Sequence, residues 1–139
     1  MTRSLVHDEV TPVTRSGPRW PRWVFRVTAT LAAVMLFDQA IFAGQFLSGV
    51  YPALDLHREN ATYAGICVLV AAVAAVLQFR PGRGPWWPIV GYVLLFGLIG
   101  LQILLGFMHT LALHIPLGVA IILIATALAV WAWRRTWPR

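Results

Sequence analysis

Apolar residues along this chain fall into four long blocks, parted by short polar breaks. The first block covers roughly 23–47, with Arg22 and Arg26 at its start. The second starts near His57 and runs almost without a polar residue from Ala61 to Phe79. Arg80-Pro81-Gly82-Arg83-Gly84-Pro85 then makes a break that no helix continues through. The third block covers 86–108, with Pro88 in its first turn, where a missing N–H costs least. The fourth covers 111–133 and ends in Arg134-Arg135. Each is near the ~20 residues that a helix needs to cross ~30 Å of hydrocarbon. Short connections make successive helices antiparallel neighbours, so the pattern predicts an all-α, up-down-up-down transmembrane four-helix bundle. Residues 1–19 are polar, carry Pro12, Gly17 and Pro18, and show no period. They are expected to form a disordered tail ahead of a membrane domain over 20–139. Asp38 and Gln39 interrupt the first block, which makes it a poor match to a cleaved signal peptide.

Composition moves the solvent from water to lipid. Hydrophobic residues make up 59% of the chain and charged ones 12%, against about 45–50% and about 25% in soluble domains. A water-soluble fold of 139 residues has too little interior to hide that excess. The formal charge of +6 comes from eleven arginines that sit between the apolar blocks rather than along one helix face. That placement excludes a phosphate-binding stripe, so no nucleic-acid partner is expected. Ten of the arginines fall on one side of a four-span arrangement and only Arg58 on the other. The positive-inside rule then puts both termini and the 80–85 break in the cytoplasm of a bacterial-type plasma membrane. All seven tryptophans (Trp20, Trp23, Trp86, Trp87, Trp131, Trp133 and Trp137) gather at that same interface, as an aromatic belt does. The single cysteine, Cys67, excludes an intramolecular disulfide and reads as a small packing residue.

Histidines are where chemistry enters. His7 lies in the tail, while His57, His109 and His114 all sit at span ends on the outer side. The second and fourth helices are diagonal partners across a bundle, so their axes stand roughly 11–14 Å apart, given 8–10 Å between neighbours. His57 opening one and His114 opening the other would share a depth and leave room for a metal macrocycle between their imidazoles. Gly44, Gly65, Gly106 and Gly118 are candidates for the close approach a flat ligand needs. Arg58 is suited to a propionate. The plainer reading is a polar cap at each histidine and glycines that only tighten helix packing. His109 is the alternative ligand.

Several segments together carry a family resemblance. They are Gln39-Ala40-Ile41-Phe42-Ala43-Gly44, His57-Arg58, Leu101-Gln102-Ile103-Leu104-Leu105-Gly106 and Leu113-His114. In order and spacing, over roughly residues 30–130, the chain resembles the four-helix unit of haem A synthase. It is also similar to a family of small uncharacterised four-helix bacterial integral membrane proteins. The resemblance implies haem ligation by the histidines that start the second and fourth helices. It departs where the family carries a glutamate one turn before the first histidine: Leu54 stands there, and the nearest acid is Asp55. The outer cysteine pair of many members is missing too. Oxygenase-type catalysis by this chain alone is therefore not expected.

The resulting expectation is a b-type cytochrome-like protein with one haem b held by His57 and His114, for electron transfer or haem handling. The alternative is a cofactor-free accessory subunit packed against a larger membrane protein, or a homo-oligomer. A transporter is a third reading, weakened by the single acid in the middle of any span and the lack of a broken helix. That acid, Asp38, reads either as a proton or quinone-like contact or as a neutral, hydrogen-bonded packing device, with Gln39 beside it and Gln102 as a neighbour. Topology is testable at once. A periplasm-dependent phosphatase placed in the 48–56 connection should be active, and the same enzyme fused after Arg139 should be silent; the reverse pattern would invert the orientation.

Overall fold

The computed structural model describes residues 17–134. The expectations for residues 1–16, His7 among them, and for Arg135, Trp137 and Arg139 lie outside the described residues. Within them the chain forms four helices: α1 (Trp20–Leu47), α2 (Ala53–Phe79), α3 (Trp87–Phe107) and α4 (Leu111–Arg134). Each is long and apolar enough to cross a membrane. At 1.5 Å per residue α3 is about 32 Å long, matched to the hydrocarbon, whereas α1 is about 42 Å and must tilt or project.

The ends differ from expectation in ways with local causes. α1 begins at Trp20 rather than 23, because Pro21 occupies its first turn with a preset φ. α2 begins at Ala53 rather than at His57. Its start is built from turn bonds in which the Ala53, Leu54 and Asp55 N–H groups donate to Val50, Tyr51 and Pro52. Asp55 in that first turn suits the positive end of the helix dipole. His57 is therefore the fifth residue of α2 and does not open it. His114 is the fourth residue of α4, so the two histidines still share a depth. Pro88 sits in the first turn of α3, as expected. The 80–86 break folds back on α2: the Gly82, Arg83 and Gly84 N–H groups donate to Leu77, Phe79 and Gln78 at 3.0, 3.1 and 2.8 Å.

The helices close a four-sided ring in which α1 packs on α2 and α4, and α3 packs on the same two. Small side chains let them come close. Ala64, Val68, Ala71 and Ala75 are fully buried along one face of α2, spaced four, three and four residues apart. Ala29 and Ala32 of α1 and Ala125, Ala129 and Ala132 of α4 continue the same surface. Such small residues let membrane helices gain van der Waals contact where no hydrophobic force separates protein from lipid. Bulk is concentrated in Phe25, Tyr92, Leu95 and Ile99. Phe25 meets Tyr92 edge-to-face across the α1–α3 diagonal, ring centres 5.8 Å apart.

The arginine-rich end has its own clamp. Arg26 lies between the rings of Trp23 and Trp133, at 5.4 and 5.2 Å, and its Nε donates to the Ala132 carbonyl at 3.0 Å. The Trp133 indole N–H donates to Thr30 at 3.0 Å. Two helices far apart in sequence, α1 and α4, are thus stitched at the interface where Trp and Arg are favoured. Replacing fully buried Ala71 by Leu should overpack the α2 face and lower stability by about 1–3 kcal/mol. A fall in the thermal midpoint in detergent, absent for Val73→Leu on the exposed face, would show it.

Candidate functional site

At the end of the bundle away from the clamp, two imidazoles face each other across the α2–α4 diagonal. The ring centres of His57 and His114 are 6.2 Å apart, with planes inclined at 58°. The helices themselves make no close backbone approach along this diagonal.

Each ring is fixed by a neighbouring helix. Nδ1 of His57 lies 3.1 Å from the backbone carbonyl of Gln39 on α1. Nδ1 of His114 lies 2.9 Å from that of Gln102 on α3. A carbonyl oxygen only accepts, so Nδ1 must carry the proton in both rings. The lone pair of a neutral imidazole is then on Nε2. Neither Nε2 has a hydrogen-bond partner among the described residues. A proton held on Nδ1 by a carbonyl is the arrangement that orients a histidine for binding metal through Nε2 and raises its basicity.

The supporting residues show why these rings sit where they do. The Gln102 side chain donates from Nε2 to the His114 carbonyl at 2.8 Å, so this residue grips α4 twice. Gly118 makes room for that side chain: a Cβ there would lie 2.8 Å from its Nε2. Gly106 makes room for the His114 ring, since a Cβ there would lie 3.1 Å from the ring's Cε1. Next to His57, Asn60 is buried and donates to the Met35 carbonyl at 2.9 Å, tying α2 to α1 a turn further in.

The other expected residues are placed as follows. Gly65 packs α2 against Ile99 of α3, and Gly44 faces open space. Arg58 is exposed and lies 3.7 Å from Asp55, a surface pair worth ~0–1 kcal/mol. His109 is exposed in the turn between α3 and α4, with φ of 56°, and stands apart from the imidazole pair. Gln102 is engaged with His114, while Asp38 has no hydrogen bond or ion pair among the described residues. Among the described residues no group of three or more His, Cys, Asp or Glu side chains is positioned to hold a metal ion. The donor set is two imidazoles, which suits a ligand that brings its own equatorial donors.

Sequence reasoning did not foresee the roles of Gln39 and Gln102 as acceptors for the rings. A signal was present in retrospect: a glutamine on the odd-numbered helix, followed by Gly44 or Gly106, ahead of a histidine on the next helix. Comparison with protein-family models, curated proteins and solved structures returned no match.

The tautomer is directly measurable. Nitrogen-15 NMR of the ligand-free protein, at a pH where both imidazoles are neutral, should report His57 and His114 protonated at Nδ1. The Gly106→Val variant should lose that signature at His114 and keep it at His57.

Proposed function

We propose that this chain is a small integral membrane protein of the b-type cytochrome kind, holding one haem b between His57 and His114. The observation that carries the reading is the matched pair of imidazoles, each with Nδ1–H on a backbone carbonyl and Nε2 free. Two imidazoles bound through Nε2 on opposite sides of one metal at ~2 Å hold their ring centres about 6 Å apart. The 6.2 Å between these rings fits that requirement. When bound, the haem would supply one-electron chemistry between its oxidised and reduced iron.

The chain's own residues would do the rest. His57 and His114 would both be taken up in holding the haem, which favours electron transfer or haem handling over reactions that need an open coordination site. The Gln39 and Gln102 carbonyls would keep both ligands in the binding tautomer. Arg58, one residue past His57, would exchange its exposed contact with Asp55 for a propionate. Gly106 would hold space for the His114 ring and Gly118 for Gln102, with Gly44 and Gly65 lowering bulk on α1 and α2.

The ten-to-one arginine bias supports a multi-pass arrangement in a bacterial-type plasma membrane with both termini in the cytoplasm and the histidines at the outer face. The opposite half of the bundle has no histidine among the described residues. Electrons would therefore be exchanged at one face, or passed to a membrane protein partner, rather than carried across by this chain alone.

Purified from haem-replete cells, the protein should show a Soret band with sharp α and β bands on reduction. His57→Ala and His114→Ala should each lose the six-coordinate spectrum while keeping the helical circular dichroism. An unchanged six-coordinate spectrum in both single variants would sink the assignment, and a colourless wild-type protein would favour the cofactor-free accessory subunit.

A further inference from the structure

We propose that the outward side of α1 is a dimer seam on which a second copy of this chain docks in the same orientation. The core-facing residues of α1 are Phe25, Ala29, Ala32 and Leu36. At 100° per residue, the opposite side carries Val24, Val27, Leu31, Val34 and Ile41, together with Asp38 and Gln45. These positions step by three and four in strict alternation, which is the seven-residue repeat of a two-stranded helical seam. The five apolar members are 37–53% exposed and meet nothing within the bundle that covers them.

Polar residues on this seam separate it from an ordinary lipid-facing surface. Asp38 is half-buried, and lies nine residues before the end of α1, about 13 Å inside it. It has no hydrogen-bond or ionic partner among the described residues. A carboxyl directed at hydrocarbon is expensive, and such groups are found facing protein or a wet cavity. Gln45, exposed and two residues from the end of α1, lies one heptad further along the same side.

A second copy answers both at once. Copies of one sequence carry the same arginine bias and insert in the same sense, so their α1 helices run parallel. In a parallel pair, Asp38 and Gln45 fall at positions that meet their own counterparts across the two-fold axis. A protonated carboxyl both donates and accepts, and so does a carboxamide, so each pair is self-complementary. A single polar residue at such a position also selects the register and the dimer over other oligomers. A different membrane protein would need its own matching polar group at the same depth.

The test uses the full chain in lipid vesicles with Cys67→Ala as background. Val34→Cys and Ile41→Cys should form disulfide-linked dimers on mild oxidation, whereas Val73→Cys on the exposed face of α2 should not. In detergent, sedimentation should show Asp38→Leu dimerising roughly tenfold more weakly than wild type, with Asp38→Asn close to wild type. Equal cross-linking at Val34→Cys and Val73→Cys would overturn the proposal. So would an Asp38→Leu variant as dimeric as wild type, or a wild-type chain that stays monomeric at every concentration.

Discussion

Hydrocarbon offers a backbone no hydrogen-bond partners, so every N–H and C=O within the membrane must be satisfied by the chain itself. That constraint makes each apolar block a helix and confines irregular backbone to the three short connections at the bundle ends. It also explains how the connections are built. The 80–86 break returns its N–H groups to the last carbonyls of α2, and the turn before α2 offers three carbonyls to the first N–H groups of the new helix. The candidate site uses the same economy. Its two imidazole N–H groups find backbone carbonyls on neighbouring helices rather than side chains or solvent.

Because lipid tails are as apolar as leucine, helix association here depends on close fit and on a few polar clamps. The alanine-rich face of α2 supplies the fit. The clamps are divided between the two ends: Arg26 with its two tryptophans at one, and the glutamine–histidine pairs at the other. Each diagonal of the bundle is spanned by a pair of rings, Phe25 with Tyr92 toward the arginine-rich end and His57 with His114 toward the opposite end. The first pair is closed, with two apolar rings edge to face. The second pairs two imidazoles whose Nδ1 atoms are engaged with backbone carbonyls, which makes it the end with chemistry to offer.

The two hairpins, α1–α2 and α3–α4, solve the same local problem in parallel. In each, a glutamine carbonyl on the first helix holds the histidine near the start of the second. Their differences are as informative: Gln102 also grips α4 through its side chain, while Asn60 does the comparable work between α2 and α1. Asp38 belongs to neither device and has no hydrogen-bond or ionic partner among the described residues.

Much of this was legible without coordinates. Block length and apolar content specify four spans because the bilayer has a fixed thickness, and Pro88 and the Arg80–Pro85 run mark boundaries by backbone chemistry alone. The shared depth of His57 and His114 followed from counting along antiparallel helices. The start of α2 was missed because Asp55, Arg58 and Glu59 interrupt the apolar pattern, and a helix can project beyond the hydrocarbon at no hydrophobic cost. Only the tertiary structure decided which carbonyl each imidazole meets, that Gly106 and Gly118 accommodate His114 and Gln102, and that Gln102 serves His114 instead of neighbouring Asp38. Those facts depend on the rotation of each helix about its own axis. Residues that are nearly uniformly apolar around the helix do not encode that rotation; the packing of small against large side chains sets it.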